Sequence, residues 1–242
     1  MLPEEAQVLG EWTRQLGLGA GSVCLNVGSS TRAFREEVQP FIHQNILKPL
    51  MDAGCQVVNC DLKPDDGVDE IGDLLDPSTQ ERLKAYDPDL IICSNLLEHL
   101  ADPVAFARAC GTIVKSGGHC LFSVPRSFPY HPDPLDTMFR PTPGEIAALL
   151  PGWNIIAAQE MDAGSYWSEV MAEPAPALAL GRQVVRSLLP FYRPAKWKPA
   201  AHKLLWLFRP YRVSLVMLRK PADVTEGIGC SRSIGEQAVP SS

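Results

Sequence analysis

The chain has 242 residues, 45% of them hydrophobic and 21% charged, with a formal net charge of -6. That suits a globular protein with a sizeable core and argues against a chain that wraps a nucleic-acid backbone. No stretch reaches about 18 apolar residues without a charge, and MLPEEAQVLGEW puts acids where a secretory leader carries bases, so neither a spanning helix nor a leader is expected. The seven cysteines form no Cys-x-x-Cys pair, and Cys24, Cys60, Cys93 and Cys120 fall on or beside expected strands, which points to a reduced cytoplasmic protein.

Leu9 to Leu18 reads as a short amphipathic helix ahead of the sheet. Ser22 to Val27 is a compact apolar run broken by GSST, the pattern of a first strand and its turn. Gly28 can supply there a tight turn and a backbone approach that a side chain would block. Pro40 to Met51 has helical spacing, with Phe41, Ile42, Ile46, Leu47 and Leu50 on one face. Gln56 to Cys60 follows as a second strand, which completes a β-α-β unit. Asp61 at its end can accept two neighbouring ribose hydroxyls, because a carboxylate offers two oxygens to two donors. A plain turn carboxylate in DLKPDD is the alternative.

Tyr86 to Cys93 turns at Asp87-Pro88 and enters a further strand. Asp102-Pro103 suits a helix start, with the helix running from Val104 to Val114, and Gly117-Gly118 turns into the strand His119 to Val124. Loops at the carboxyl ends of such strands hold ligands, so Ser94 to His99 and Pro125 to Arg140 are expected to face one site. The second loop concentrates Arg126, Tyr130, His131, Asp133, Asp136 and Arg140 between prolines, as an orienting pocket or as a stiff surface loop. Thr142 and Glu145 form a capping-box signature for a helix to Leu150. Trp153 to Ala158 and Val213 to Leu218 complete the strands.

The residues between these last two strands form an insertion of different character. Residues 160 to 220 carry 10 Lys and Arg against 4 Asp and Glu, whereas residues 1 to 159 carry 11 against 21. Helices are expected at Pro176 to Leu189 and Ala200 to Phe208, and the aromatics Phe191, Tyr192, Trp197, Trp206 and Phe208 alternate there with bases. Such a mixture suits an anionic or lipid-linked acceptor, a peripheral membrane contact, a homodimer partner, or simply a solvated basic face. Residues 1–220 are expected to form one domain that includes the insertion at 160–210. Ala222 to Ser242 lacks periodicity and is expected to be disordered.

Asn95, Glu98, His99, Asp102 and Pro103 spell a loop of the form N-x-x-E-H-x-x-D-P. With the helix, Gly117-Gly118, the next strand and YHPDPLDTMFRPTPGE, this resembles the later half of the class I S-adenosylmethionine-dependent methyltransferases, small-molecule branch. The resemblance spans roughly Gly21 to Gln159. It implies an α/β fold: a Rossmann-like seven-stranded sheet, mostly parallel with an antiparallel edge strand. It also implies S-adenosylmethionine as cofactor and methyl transfer to a small-molecule, saccharide or lipid-linked acceptor.

The resemblance places Asn26, Gly28 and Ser30 at the methionine end of the cofactor, although the family has an acid at the first position and a glycine at the third. It puts Asp61 on the ribose, Asp73 and Leu74 on the adenine, and Ser94, Asn95 and Leu96 beside the sulfonium. Glu98, Arg126, Tyr130, Asp133, Asp136 and Arg140 then fall to the acceptor. His131 is the first candidate base, since its ordinary pKa lies near neutrality, and His99 the second. No metal is expected. Two other readings stay open: a non-catalytic relative of the same fold, and an NAD-dependent oxidoreductase, whose Gly-x-Gly-x-x-Gly turn does not follow Val27.

Overall fold

A computed structural model of the chain describes residues 1–131, 135–172, 174–188, 206–207 and 209–222. Seven strands form its sheet: β1 (Val23–Val27), β2 (Gln56–Asp61), β3 (Glu70–Ile71), β4 (Leu90–Ser94), β5 (His119–Ser127), β6 (Asn154–Ser165) and β7 (Pro210–Arg219). Their order is β3-β2-β1-β4-β5-β7-β6. The first five run parallel, and β7 lies antiparallel between β5 and β6. The winding direction reverses between β1 and β4, so the turns leaving these two strands part and open a crevice at their carboxyl ends.

The central strands are largely apolar because both faces of the sheet are covered. Leu25, Val27, Ile91, Cys93 and Phe122 face one side, in one cluster with Leu83 of α4 (Pro77–Lys84) and Phe106, Cys110 and Ile113 of α5 (Pro103–Ile113). Cys24, Leu90, Ile92 and Leu121 face the other, with Ala6 and Leu9 of α1 (Pro3–Gln15) and with Ile46, Leu47 and Leu50. The caps form as the sequence predicts. Asp102 Oδ1 accepts from the Ala105 N–H at 2.8 Å. At the start of α6 (Pro143–Ala147), the Thr142 N–H donates to Glu145 Oε2 at 2.7 Å, and Thr142 Oγ1 accepts from the Glu145 N–H at 3.3 Å.

Three elements differ from expectation. The first helix is α1, Pro3–Gln15, and not Leu9 to Leu18. Pro3 opens its first turn, the Leu2 N–H finds Glu5 Oε2 at 3.1 Å, and Gly17 at φ +63° turns the chain away. The helix expected over Pro40 to Met51 is present and runs to Asp52, but it contains a π-type segment at His43–Leu47 between α2 (Pro40–Ile42) and α3 (Lys48–Asp52). Pro49 has no N–H to give to the Asn45 carbonyl. That carbonyl lies against Gly10 of α1, where a Cβ would stand 2.2 Å from its oxygen. Gly10→Ala is therefore expected to cost about 1–3 kcal/mol of stability, read by urea unfolding, because backbone must shift to admit one methyl group.

The third difference is length. β6 and β7 extend well beyond Trp153 to Ala158 and Val213 to Leu218, pairing from Asn154 opposite Arg219 to Ser165 opposite Pro210. Arg212 ties the far end, with Nε 2.9 Å from Asp162 Oδ1 and Nη1 3.4 Å from Glu160 Oε1. α7 (Tyr166–Ala172) and α8 (Pro176–Leu188) follow as the insertion between these strands. The helix expected at Ala200 to Phe208 lies mostly outside the described residues, as do Asp133 and nearly all of the tail.

Candidate active site

The crevice between β1 and β4 holds a cleft of about 620 Å³. On one side it is walled by the turn after β1. Gly28, at φ +69°, and Ser29 both donate their N–H to the Cys60 carbonyl, at 2.9 and 3.0 Å. A Cβ on Gly28 would meet Leu96 Cδ2 at 2.8 Å, so only glycine lets the two loops close on each other. Ser30 stands in the left-handed region at φ +56°, and its N–H donates to Asp61 Oδ2 at 2.8 Å.

Arg35 holds this turn from behind. Its Nη1 donates to the carbonyls of Ser29 and Ser30 at 3.0 and 2.5 Å, and Nη2 to that of Gly67 at 2.7 Å. The residue is 4% exposed, and burial lowers its pKa against the opposing pull of Asp69. Sequence reading missed it. One arginine in TRAFREE looks like any surface charge, and only the fold folds its fork under the turn.

The floor of the cleft is polar and ordered. Asn26 donates to Asn59 Oδ1 at 3.0 Å, and Asn59 in turn donates to Asp69 Oδ2 at 3.1 Å. Asn95, at φ +49°, gives Nδ2 to Glu5 Oε1 at 2.7 Å, which brings a buried carboxylate of α1 into the site. Glu5 was also outside the sequence reading, because it looks like an ordinary first-turn acid.

At the mouth, Glu98, His99 and His131 converge, with ligand-type atoms within 4.8 Å of one another, close enough to share a proton or a cation. Glu98 has no exposed surface and neither carboxylate oxygen has a hydrogen-bond partner. Burial pushes its pKa up to about 7. His99 Nδ1 bonds the Leu135 carbonyl, and its Nε2 lies 3.8 Å from Glu98 Oε1. His131 Nδ1 lies 3.1 Å from the Pro129 carbonyl and 3.3 Å from Asp136 Oδ2. A carbonyl can only accept, so His131 carries its proton on Nδ1 and keeps a lone pair on Nε2. Burial lowers its pKa, which favours that neutral form.

Asp136 sits beneath this histidine. Burial alone would raise its carboxyl, but donors from Arg140 at 2.7 Å, His131 N at 3.1 Å and Met138 N at 2.9 Å hold it down at about 2. Of the residues that sequence reading singled out, Asn26, Gly28, Ser30, Ser94, Asn95, Glu98, His99 and His131 line the cleft. Asp61 and Leu96 stand behind its first wall through Ser30 and Gly28. Asp73 accepts from the Leu75 N–H at 2.9 Å, and Leu74 is in the core. Arg126 donates to the Arg140 carbonyl at 2.7 Å, Arg140 pairs with Asp136, and Tyr130 is half exposed. These last five do not line the cleft.

A parallel sheet with β7 wedged antiparallel beside β5, and a glycine turn facing a polar loop across its switch point, define a Rossmann-like methyltransferase fold. The chain belongs to the methyltransferase-domain family, whose model matches residues 5–169. Among curated proteins it is similar to the ubiquinone biosynthesis O-methyltransferase of Ralstonia nicotianae, 48% identical over 46 residues, or 18% of this chain and 19% of that protein. It is similar too to that of Albidiferax ferrireducens, 44% identical over 55 residues, 20% of this chain and 22% of the other. The matched segments thus span about a fifth of these relatives. Among solved structures, the [4+2]-cyclase SpnF superimposes at a TM-score of 0.52 with 16% identity, over 89% of this chain and 81% of that one. Coclaurine N-methyltransferase gives 0.52 with 12% identity, over 88% and 70%.

Proposed function

We propose that this chain transfers a methyl group from S-adenosylmethionine to a small-molecule acceptor. One observation carries the reading: a single cleft joins the glycine turn after β1 to the Glu98, His99 and His131 cluster after β4 and β5. The fold alone would not suffice, since one neighbour is named a cyclase. When bound, the cofactor supplies a methyl group on a sulfonium that leaves as a neutral thioether.

The residues present fit such a group. Gly28 offers backbone where a side chain would collide with Leu96. Asp61 Oδ1 has only a long contact, 3.4 Å, from the Lys63 N–H, so it can still accept from a sugar hydroxyl. Asn26, Ser94 and Asn95 line the cleft between the turn and the cluster. His131 Nε2 takes the acceptor proton, with Asp136 and the Pro129 carbonyl fixing the ring. Alignment of the acceptor in the cleft supplies the rest.

The ligand test is isothermal titration with S-adenosylmethionine and S-adenosylhomocysteine, with NAD as control. Micromolar binding of both sulfur ligands and none of NAD is expected. Asp61→Ala should weaken both by about tenfold, one lost charged hydrogen bond. A folded protein that binds neither would turn the reading to a non-catalytic member of the fold.

Peripheral membrane contact has one supporting feature. α8 exposes Leu178 and Val185 beside Arg182 and Arg186, an apolar and basic surface suited to anionic lipid. Sedimentation with anionic vesicles, lost in Leu178→Glu/Val185→Glu, tests it.

A further inference from the structure

The methyl-transfer reading leaves the acceptor open, and the mouth of the cleft narrows it. Glu98 is fully buried, lines the cleft, and has two carboxylate oxygens without a partner. A buried acceptor pair left unmatched is costly, so the arrangement calls for a ligand that brings donors. Apart from the Ser94 hydroxyl, which is also unpartnered, the other polar groups nearby are committed. Glu5 accepts from Asn95 and from the Leu2 N–H, Asn26 donates to Asn59, and each histidine spends Nδ1 on a backbone carbonyl.

Charge points the same way. Among the described lining residues the acidic side chains are Glu5 and Glu98, and none is a lysine or arginine. The α-ammonium of Met1 is given to Gln39 Oε1 at 3.1 Å. Arg140, whose charge reaches Glu98, is bound to Asp136 at 2.7 Å and stays outside the cleft. A phosphate or carboxylate acceptor would therefore meet two acidic side chains, with the Met1 ammonium as the one cation among the described lining residues. Much of the remaining lining is apolar, made by Leu2, Phe34, Ile42, Ile46, Leu47 and by Phe128, which packs against His131.

We infer that the acceptor is an amine on an apolar body, bound as its ammonium by Glu98 with His99 and His131 alongside; this rests on the methyl-transfer reading. The spacing agrees. Two acceptors about 2.8 Å from one tetrahedral nitrogen stand roughly 4.6 Å apart, and the three side chains bring one ligand-type atom each to within 4.8 Å of one another. A hydroxyl offers one proton and leaves a Glu98 oxygen orphaned. An ammonium offers enough for both Glu98 oxygens and for a histidine Nε2.

The chemistry balances. The ammonium gives one proton to His131 Nε2, which frees a nitrogen lone pair. That pair forms the N–C bond to the methyl carbon as the C–S bond breaks, with the bonding electrons left on sulfur. The methylated nitrogen is again cationic and stays paired with Glu98, and the proton on His131 leaves to solvent.

The test compares isosteric ligands on the full chain, with and without saturating S-adenosylhomocysteine: phenethylamine, 2-phenylethanol and 3-phenylpropionate, then a longer alkylamine and its carboxylate. Titration should show each amine binding about 10- to 100-fold tighter than its carboxylate, the range of a charge-assisted hydrogen bond. In Glu98→Gln that preference should collapse, with circular dichroism unchanged. Equal or tighter binding of the carboxylates, of the alcohol, or a preference that survives in Glu98→Gln, overturns the inference, as does no binding by any amine. Loss of homocysteine-ligand binding with the amine preference intact would instead count against the methyl-transfer reading, so the two failures are separable.

Discussion

Arg35→Met is expected to raise the dissociation constant for S-adenosylhomocysteine by roughly 30-fold or more and to cost about 2–4 kcal/mol of stability. The argument starts from the turn. Sequence alone makes GSS a poor version of a glycine-rich loop, because Ser30 takes a left-handed conformation that a side chain disfavours. Something must hold it there. Two clamps do: the Asp61 carboxylate on the Ser30 N–H, and the Arg35 fork on the carbonyls of Ser29, Ser30 and Gly67. A planar guanidinium reaches three acceptors from one buried position, and methionine fills the same space with no donor.

The role is positioning, so the measurement must separate it from general loosening. Adenosine and S-adenosylhomocysteine should be titrated side by side into Arg35→Met and Arg35→Lys. If the turn cradles the amino-acid end, the homocysteine ligand should lose far more affinity than adenosine, and lysine, with its charge but no fork, should recover only part. Equal losses for both ligands would leave Arg35 a stability residue only. Unchanged affinity in a variant of lowered stability would sink the positioning role altogether.

Much of the fold could be read from the chain because its central strands are buried on both faces. Runs such as LIIC in β4 and CLF in β5 are apolar throughout, and Asp102-Pro103 and Thr142 with Glu145 mark helix starts by hydrogen-bonding chemistry that acts locally. β6 escaped at its far end for the opposite reason. An edge strand with Gln159, Glu160 and Asp162 gains its order from β7, a partner distant in sequence, so local composition looks like a loop. The helix over Pro40 to Met51 was legible from its apolar spacing, whereas the π-type turn inside it, just ahead of Pro49, was not.

The site divided in the same manner. Loop residues at strand ends, Gly28, Asn95, Glu98 and His99, were legible because the switch-point rule and the N-x-x-E-H spacing act on adjacent residues. His131 was legible from its loop. Arg35 and Glu5 were not, since each looks like a surface charge until α1 and the segment after β1 fold over the crevice. The sequence also could not say which polar groups of the 125–140 loop serve the loop itself. Asp136, Arg140 and Arg126 bond one another and the backbone, whereas Glu98, with no partner of its own, faces the cleft.

That unpartnered carboxylate leads to the second large effect, a stability that falls as pH rises. Glu98 has a folded pKa of about 7, raised by burial from an unfolded value of 4.5. The folded chain then keeps a proton that the unfolded chain releases, so its stabilising contribution is full below pH 4.5 and is lost as pH climbs through about 7. The shift corresponds to about 3 kcal/mol as an upper bound. The groups facing Glu98 act in both directions: Arg140 and the Met1 ammonium lower its pKa, and Glu5 raises it. His99 Nε2, at 3.8 Å, would favour the ionised carboxylate if protonated. His131 titrates in the opposite sense, since its lowered pKa removes stability as pH falls, and Asp136 acts only in the acid range, near its pKa of about 2. The readout is therefore a difference between two proteins that share those groups. Urea unfolding of wild type and Glu98→Gln at pH 4.5, 6 and 8 should show the variant gaining on wild type by up to about 3 kcal/mol across that span, with most of the change complete by pH 7. A constant difference at all three values would mean that Glu98 ionises in the folded chain as it does in water, through a counter-charge or solvent path that its burial and its two empty oxygens do not suggest.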